Sequence, residues 1–199
     1  GCDPASGVAS GDAVREASGT LPGYCLIPAL PGFQRFDFDV TDDGQIMLCA
    51  REKSAYRVYR LGPDLNDTEL CHAIPAGPAV RYDSPAIEVE NTPEGMLVVI
   101  LENDKAEASR RIRCLLFRNR SLTPRTLLDR GLDVEAGALN VVRSTSAGMP
   151  VICVRPSPFA VGGQVKDSGV TTVFSFHPEA SCYRMSRRLE SPVGMTPLV

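Results

Sequence analysis

Thr92-Pro93-Glu94-Gly95-Met96-Leu97-Val98-Val99-Ile100-Leu101 joins a tight-turn signature to a run without a polar side chain. A type I turn favours Pro at its second position and Gly at its fourth. A glycine just past such a turn takes positive φ at little cost and opens the return strand as a bulge. The run that follows does not alternate, so it predicts a strand covered on both faces rather than one. The phrase occurs twice more. Thr41-Asp42-Asp43-Gly44 leads into Gln45–Ala50, and Thr145-Ser146-Ala147-Gly148 leads into Met149–Val154. The three turn glycines, Gly44, Gly95 and Gly148, lie 51 and 53 residues apart.

Each phrase has a short strand pattern before it (Phe36–Val40, Ala86–Glu90, Leu139–Arg143) and another after it (Tyr56–Leu61, Ile112–Phe117, Thr172–Phe176). A weaker fourth pattern follows at Leu70–Ile74, Thr126–Asp129 and Cys182–Ser186. Four short strands in about fifty residues, repeated, predict an all-β chain of three antiparallel four-stranded sheets. The turn-plus-apolar phrase resembles the second strand of TolB-like and other degenerate WD40-like propeller blades. That resemblance implies a propeller-like array with blades at about 34–76, 82–131 and 137–190 and carries over no functional residue. The Gly-His and Trp-Asp dipeptides of WD40 repeats and the sialidase Asp-box are missing, and the chain has no Trp. Residues 1–20 read as a flexible lead, 21–190 as the repeat domain with an extended edge segment at 21–35, and 191–199 as a loose tail.

Propellers typically close with four to eight blades, so three predict a partial array. A longer chain, a second copy or another subunit would complete it, or the repeats form an open array, because an unpaired sheet edge is adhesive. The net charge of −3 singles out no class of partner. The bias of 18 Arg to 3 Lys suits bidentate contacts, and a GC-rich genome produces the same bias. No apolar run reaches the length of a membrane-spanning helix, and the sequence favours a soluble, intracellular setting over export.

Four sets of residues are candidates for chemistry. Cys25, Cys49, Cys71, Cys114, Cys153 and Cys182 are even in number, as in a disulfide framework. Yet Cys49–Cys71 or Cys153–Cys182 would link second to fourth strands about 9–10 Å apart, beyond the reach of a disulfide, so free thiols are expected. No Cys-x-x-Cys occurs, so neither zinc nor another cofactor is expected. Arg110, Arg111, Arg113, Arg118, Arg120, Arg184, Arg187 and Arg188 predict a basic band toward the outer strands for an acidic partner or RNA, against a plain solvated face. The segment Glu102–Arg111 is expected to protrude as a charged loop.

Catalysis has little to draw on. His72 and His177 lie in no metal or nucleophile motif, and Asp37 and Asp39 alternate with Phe36 and Phe38 as a half-exposed strand would. Asn66 and Asn119 head glycosylation sequons, and Gly1-Cys2 resembles the mature end of a lipoprotein. The sequence therefore points to a non-enzymatic scaffold or complex subunit. An exported, disulfide-containing or lipid-anchored propeller and a propeller-type hydrolase are the alternatives.

Overall fold

The apolar runs become the second strands of three four-stranded sheets, each a simple antiparallel meander in chain order. The computed structural model describes residues 35–52, 54–62, 67–77, 86–103, 110–118, 121, 123–132, 138–142, 148–155 and 170–190. The chain divides into two units, Gly1–Pro31 and Gly32–Val199, and all of these residues belong to the second. The expected edge segment before residue 35 and the tail after 190 lie outside the described residues.

Sheet 1 contains β1 (Arg35–Val40), β2 (Ile46–Glu52), β3 (Ala55–Leu61) and β4 (Thr68–Pro75). Sheet 2 contains β5 (Ala86–Thr92), β6 (Gly95–Asn103), β7 (Arg110–Phe117) and β8 (Arg125–Leu132). Sheet 3 contains β9 (Ala138–Val142), β10 (Val151–Arg155), β11 (Val170–His177) and β12 (Cys182–Glu190). No helix occurs among the described residues. The expected three antiparallel four-stranded sheets are present, with their strands in chain order. The expected loop Glu102–Arg111 is strand at both ends, since Glu102 and Asn103 close β6, Arg110 and Arg111 open β7, and the Glu102 and Arg110 side chains are buried; residues 104–109 lie outside the described residues.

The sheets stack face to face, with sheet 2 in the middle. Met96, Val98 and Ile100 of β6 pack on Met47, Cys49, Tyr56 and Val58 of sheet 1. The alternate residues Leu97, Val99 and Leu101 pack on Ile152, Val154 and Phe174 of sheet 3. A strand that buries both faces cannot alternate in polarity, which accounts for the unbroken apolar run. The first strands lie side by side, β1 against β5 and β5 against β9, and β8 meets β12 on the other side.

The corners use the glycines as expected in two cases. The Thr41–Gly44 turn is closed by the Gly44 amide donating to the Thr41 carbonyl at 2.9 Å, with Gly44 at φ 81°. Gly95, at φ 128°, pairs directly with Thr92. A Cβ on Gly95 would stand 2.3 Å from the Phe117 carbonyl oxygen, so that position excludes side chains on two grounds. The third corner lies outside the described residues, and Gly148 precedes β10.

A second repeat is hidden in the ladders. A bulge on the fourth strand interrupts its pairing with the third in every sheet, with Cys71 opposite Val58/Tyr59, Leu127 opposite Cys114/Leu115 and Ser186 opposite Val173/Phe174. It supplies a common register. The row Phe38–Leu48–Tyr59 in sheet 1 corresponds to Val89–Val98–Leu115 in sheet 2 and Val141–Ile152–Phe174 in sheet 3. The next row is Phe36–Ala50–Arg57, Ile87–Ile100–Arg113 and Leu139–Val154–Thr172.

Candidate interaction faces

Stacking gives every sheet two kinds of face: a forward face that meets the next sheet in the chain, and a rear face that meets the previous one. The junction between sheets 1 and 2 shows how the two fit. On the forward face of sheet 1, Asp37 and Asp39 point toward β5. The Val89 amide donates to Asp37 Oδ2 at 2.7 Å, and the Asn91 amide to Asp39 Oδ2 at 2.8 Å. The Asn91 side chain adds a bond to Asp42 Oδ1 at 2.7 Å. These carboxylates thus satisfy backbone donors on the edge strand of the next sheet. The alternation in Phe36–Asp39 marks two unlike sides of β1: the acids face the junction, and the phenylalanines lie on the opposite side, about half exposed.

At the other end of this junction lies a buried ionic network. Arg51 donates from Nη1 to the Tyr56 hydroxyl at 3.2 Å and from Nη2 to the Gly77 carbonyl at 3.3 Å. Its guanidinium sits 5.5 Å from the centre of the Tyr56 ring. From sheet 2, Glu102 accepts the Gly77 amide at 2.7 Å and pairs with Arg113, which also donates to the Pro75 carbonyl at 3.0 Å. Burial, followed by the Glu102 charge, pushes the Tyr56 hydroxyl well above its ordinary pKa.

The predicted basic band is largely taken up by these internal contacts. Arg110 is buried, and Arg113 is committed to Glu102. Arg111 makes a two-pronged pair with Asp129 at 2.6 and 2.8 Å, and Arg118 pairs with Glu94. The sequence shows seven arginines between positions 110 and 130 but not the acids that pairing places opposite them. Arg120 lies outside the described residues. Arg184, Arg187 and Arg188 are exposed on β12, an edge strand kept charged on its solvent side.

The remaining candidates separate in space. His72 on β4 meets the Phe117 ring edge-on at 6.2 Å, whereas His177 is exposed at the end of β11. Cys49, Cys71, Cys114, Cys153 and Cys182 carry free thiols, and burial raises the first four above their ordinary pKa. Asn66 and Asn119 lie outside the described residues. Among the described residues no group of His, Cys, Asp and Glu could hold a metal ion, and no helix is long and apolar enough to cross a membrane.

What sequence reasoning missed is the rear face of sheet 1. Phe36, Phe38, Val40 and Leu70 are 54, 51, 44 and 46% exposed, all on that one face. Their counterparts in sheet 2, Ile87 and Val89, are 5 and 4% exposed because sheet 1 covers them. The same face carries Glu52, paired with Arg57 at 3.0 Å and accepting from the Tyr59 hydroxyl. Glu52 and Arg57 hold the positions that Glu102 and Arg113 hold in sheet 2. The alternating Phe-Asp-Phe-Asp of β1 was the available signal, had the phenylalanines been read as a surface to be covered. The chain matches no protein-family model, no curated protein sequence and no solved structure.

Proposed function

We propose that this chain is a non-enzymatic, propeller-like β-repeat scaffold that works by seating a partner along its exposed edge strands. The observation that carries this reading is the run of three large exposed apolar side chains, Phe36, Phe38 and Val40, along one side of the edge strand β1. Isolated apolar side chains are ordinary on a protein surface, whereas a contiguous group marks a contact site. The hydrolase alternative loses its best acids, since Asp37 and Asp39 are engaged by backbone amides of β5. The disulfide-linked alternative loses support from the free thiols. Arg184, Arg187 and Arg188 are the part of the basic band left for an acidic partner.

The test combines a hydrolase screen on ester, phosphate and glycoside substrates with binding of an apolar fluorescent dye. The scaffold reading expects no turnover. It also expects dye bound by the wild-type chain and lost in Phe38→Asp. Turnover abolished by Asp37→Asn would overturn the reading, as would dye binding indifferent to Phe38→Asp.

A further inference from the structure

The bulged outer strands set sheet 3 apart from the other two. In sheet 1 the bulged residue and the one after it are Cys71, which is buried, and His72, which meets the Phe117 ring. In sheet 2 they are Leu127 and Leu128, both packed into the junction with sheet 3. In sheet 3 they are Ser186 and Arg187, and both are exposed. Ser186 accepts a hydrogen bond from the Ser175 hydroxyl at 3.0 Å and donates to the Val173 carbonyl at 3.2 Å. Positions that belong to the core in two sheets are thus a hydroxyl and a guanidinium in the third.

The rest of β12 continues the contrast. Arg184, opposite Ser175, and Arg187, opposite Val173, stand on the forward side; Met185, opposite Phe174, and Arg188, opposite Thr172, stand on the rear side. All four are exposed, as is Leu189. Among the described residues none of these three guanidiniums meets a carboxylate, whereas Arg57, Arg60, Arg111, Arg113 and Arg118 each do. Glu190 is the one acid of the strand. β12 is also the outermost strand of its sheet, and no strand among the described residues pairs with its far edge. Such an edge presents a row of backbone donors and acceptors to any strand that suits it.

Resting on the reading that the chain seats a partner along its edge strands, we propose that β12 receives an acidic, extended protein segment as a fifth strand of sheet 3. Side chains of an added strand alternate between the same two sides as those of β12, so one segment meets the forward and the rear arginines together. Backbone hydrogen bonds to the edge hold it. Its carboxylates pair with Arg184, Arg187 and Arg188, and its apolar side chains lie on Met185 and Leu189. The same charges turn other occupants away. A second copy of β12 would set arginine against arginine. A nucleic acid would find no ring to stack on, because Phe174, Phe176 and Tyr183 are turned into the sheet 2 junction. The net charge of −3 also differs from the basic balance of a nucleic-acid-binding domain.

The experiment follows the fluorescence anisotropy of a labelled acidic peptide of Glu-Glu-Val repeats, nine residues long like β12. The full chain is titrated in to about 1 mM, which reaches weak association. The wild type is expected to bind. The double variant Arg184→Glu with Arg187→Glu, shown to be folded by far-UV circular dichroism, is expected to lose at least ~10-fold in affinity, because attractive cross-strand pairs become repulsive. A fully N-methylated peptide keeps the charge but cannot donate to a strand edge, and it is expected to lose at least ~10-fold on the wild type. Phe38→Asp, which alters another sheet, keeps the wild-type affinity for the peptide.

A peptide that does not bind the wild type would overturn the proposal, as would binding unchanged in the double variant or by N-methylation. A labelled oligothymidylate bound more tightly than the peptide, and lost in the double variant, would overturn it in favour of nucleic acid. Failure of the peptide while dye binding still depends on Phe38 removes β12 as the seat and leaves the scaffold reading standing. Turnover in the hydrolase screen removes the scaffold reading itself.

Discussion

Val89 and Phe38 occupy the same place in two successive sheets, yet one is 4% exposed and the other 51%. Each pairs with the corresponding residue of a second strand, Val98 or Leu48, and each faces rearward. The difference lies in what stands behind them: sheet 1 covers Val89, and no sheet among the described residues packs on Phe38. An apolar position in a repeated sheet is thus a request for a neighbour, answered at Val89 and left open at Phe38.

Charge substitution at this pair should break the comparison most sharply. Val89→Asp places a carboxylate in the sheet 1–sheet 2 core and should cost at least ~3 kcal/mol. Phe38→Asp should stay within about 1 kcal/mol of wild type, since an exposed site has little burial to lose. Urea denaturation of both variants checks this, and equal losses would contradict the stacking.

The arginines of β7 supply the next contrast. Arg113→Ala leaves Glu102 buried beside the Gly77 amide without its cation, at a cost of about 3 kcal/mol. Arg111→Ala removes an exposed pair with Asp129 and should cost less than ~1 kcal/mol. A similar loss for both, seen as similar shifts in the urea midpoint, would place Glu102 in water.

The corners come third. Gly95→Val should cost about 2–3 kcal/mol, because its Cβ meets the Phe117 carbonyl and its φ resists a β-branched residue. Gly44→Val has open space around it and should cost about 1–2 kcal/mol from backbone conformation alone. Thermal melting ranks the two.

The last contrast is a dependence on pH. Burial first, and then the Asp37 charge, raises the Cys49 thiol; burial, and then Asp129, raises Cys114. The unfolded thiols ionise near their ordinary pKa of about 8.5, while the folded ones keep their protons. The folded state then binds more protons than the unfolded state, so stability falls as pH rises. Each such thiol contributes a slope of about 1.4 kcal/mol per pH unit well above that pKa. Tyr56 and Tyr183, also raised by burial, act in the same direction at higher pH. Urea midpoints at pH 8 and pH 10 should show the decline, and equal midpoints would mean that the thiols are open to water.

Most of the fold was legible because the turn phrase is local. Glycine-ended corners and unbroken apolar runs act within ten residues, so the strands and their order could be read directly. Two things could not. The first is facing: the loop between the Thr41–Gln45 pair is one residue longer than the loop between Thr92 and Gly95, which shifts the second strand by one and exchanges its faces. Aligning Gly44 with Gly95 therefore sets Met47 against Val98, although these two face each other across the junction. The second is pairing at a distance. Glu102, Asp129 and Glu94 neutralise three members of the arginine cluster only because sheet registers bring them alongside. The rear face of sheet 1 was hidden by the same limit, since nothing in Phe36–Asp39 says which side another sheet will take.

Hydroxyl-radical footprinting of the phenylalanines tests the stacked array and the exposed side of β1 most directly. Phe36 and Phe38 should be modified rapidly, while Phe117 and Phe174, 3 and 0% exposed in the two internal junctions, should be spared. Comparable modification of all four rings would contradict the account.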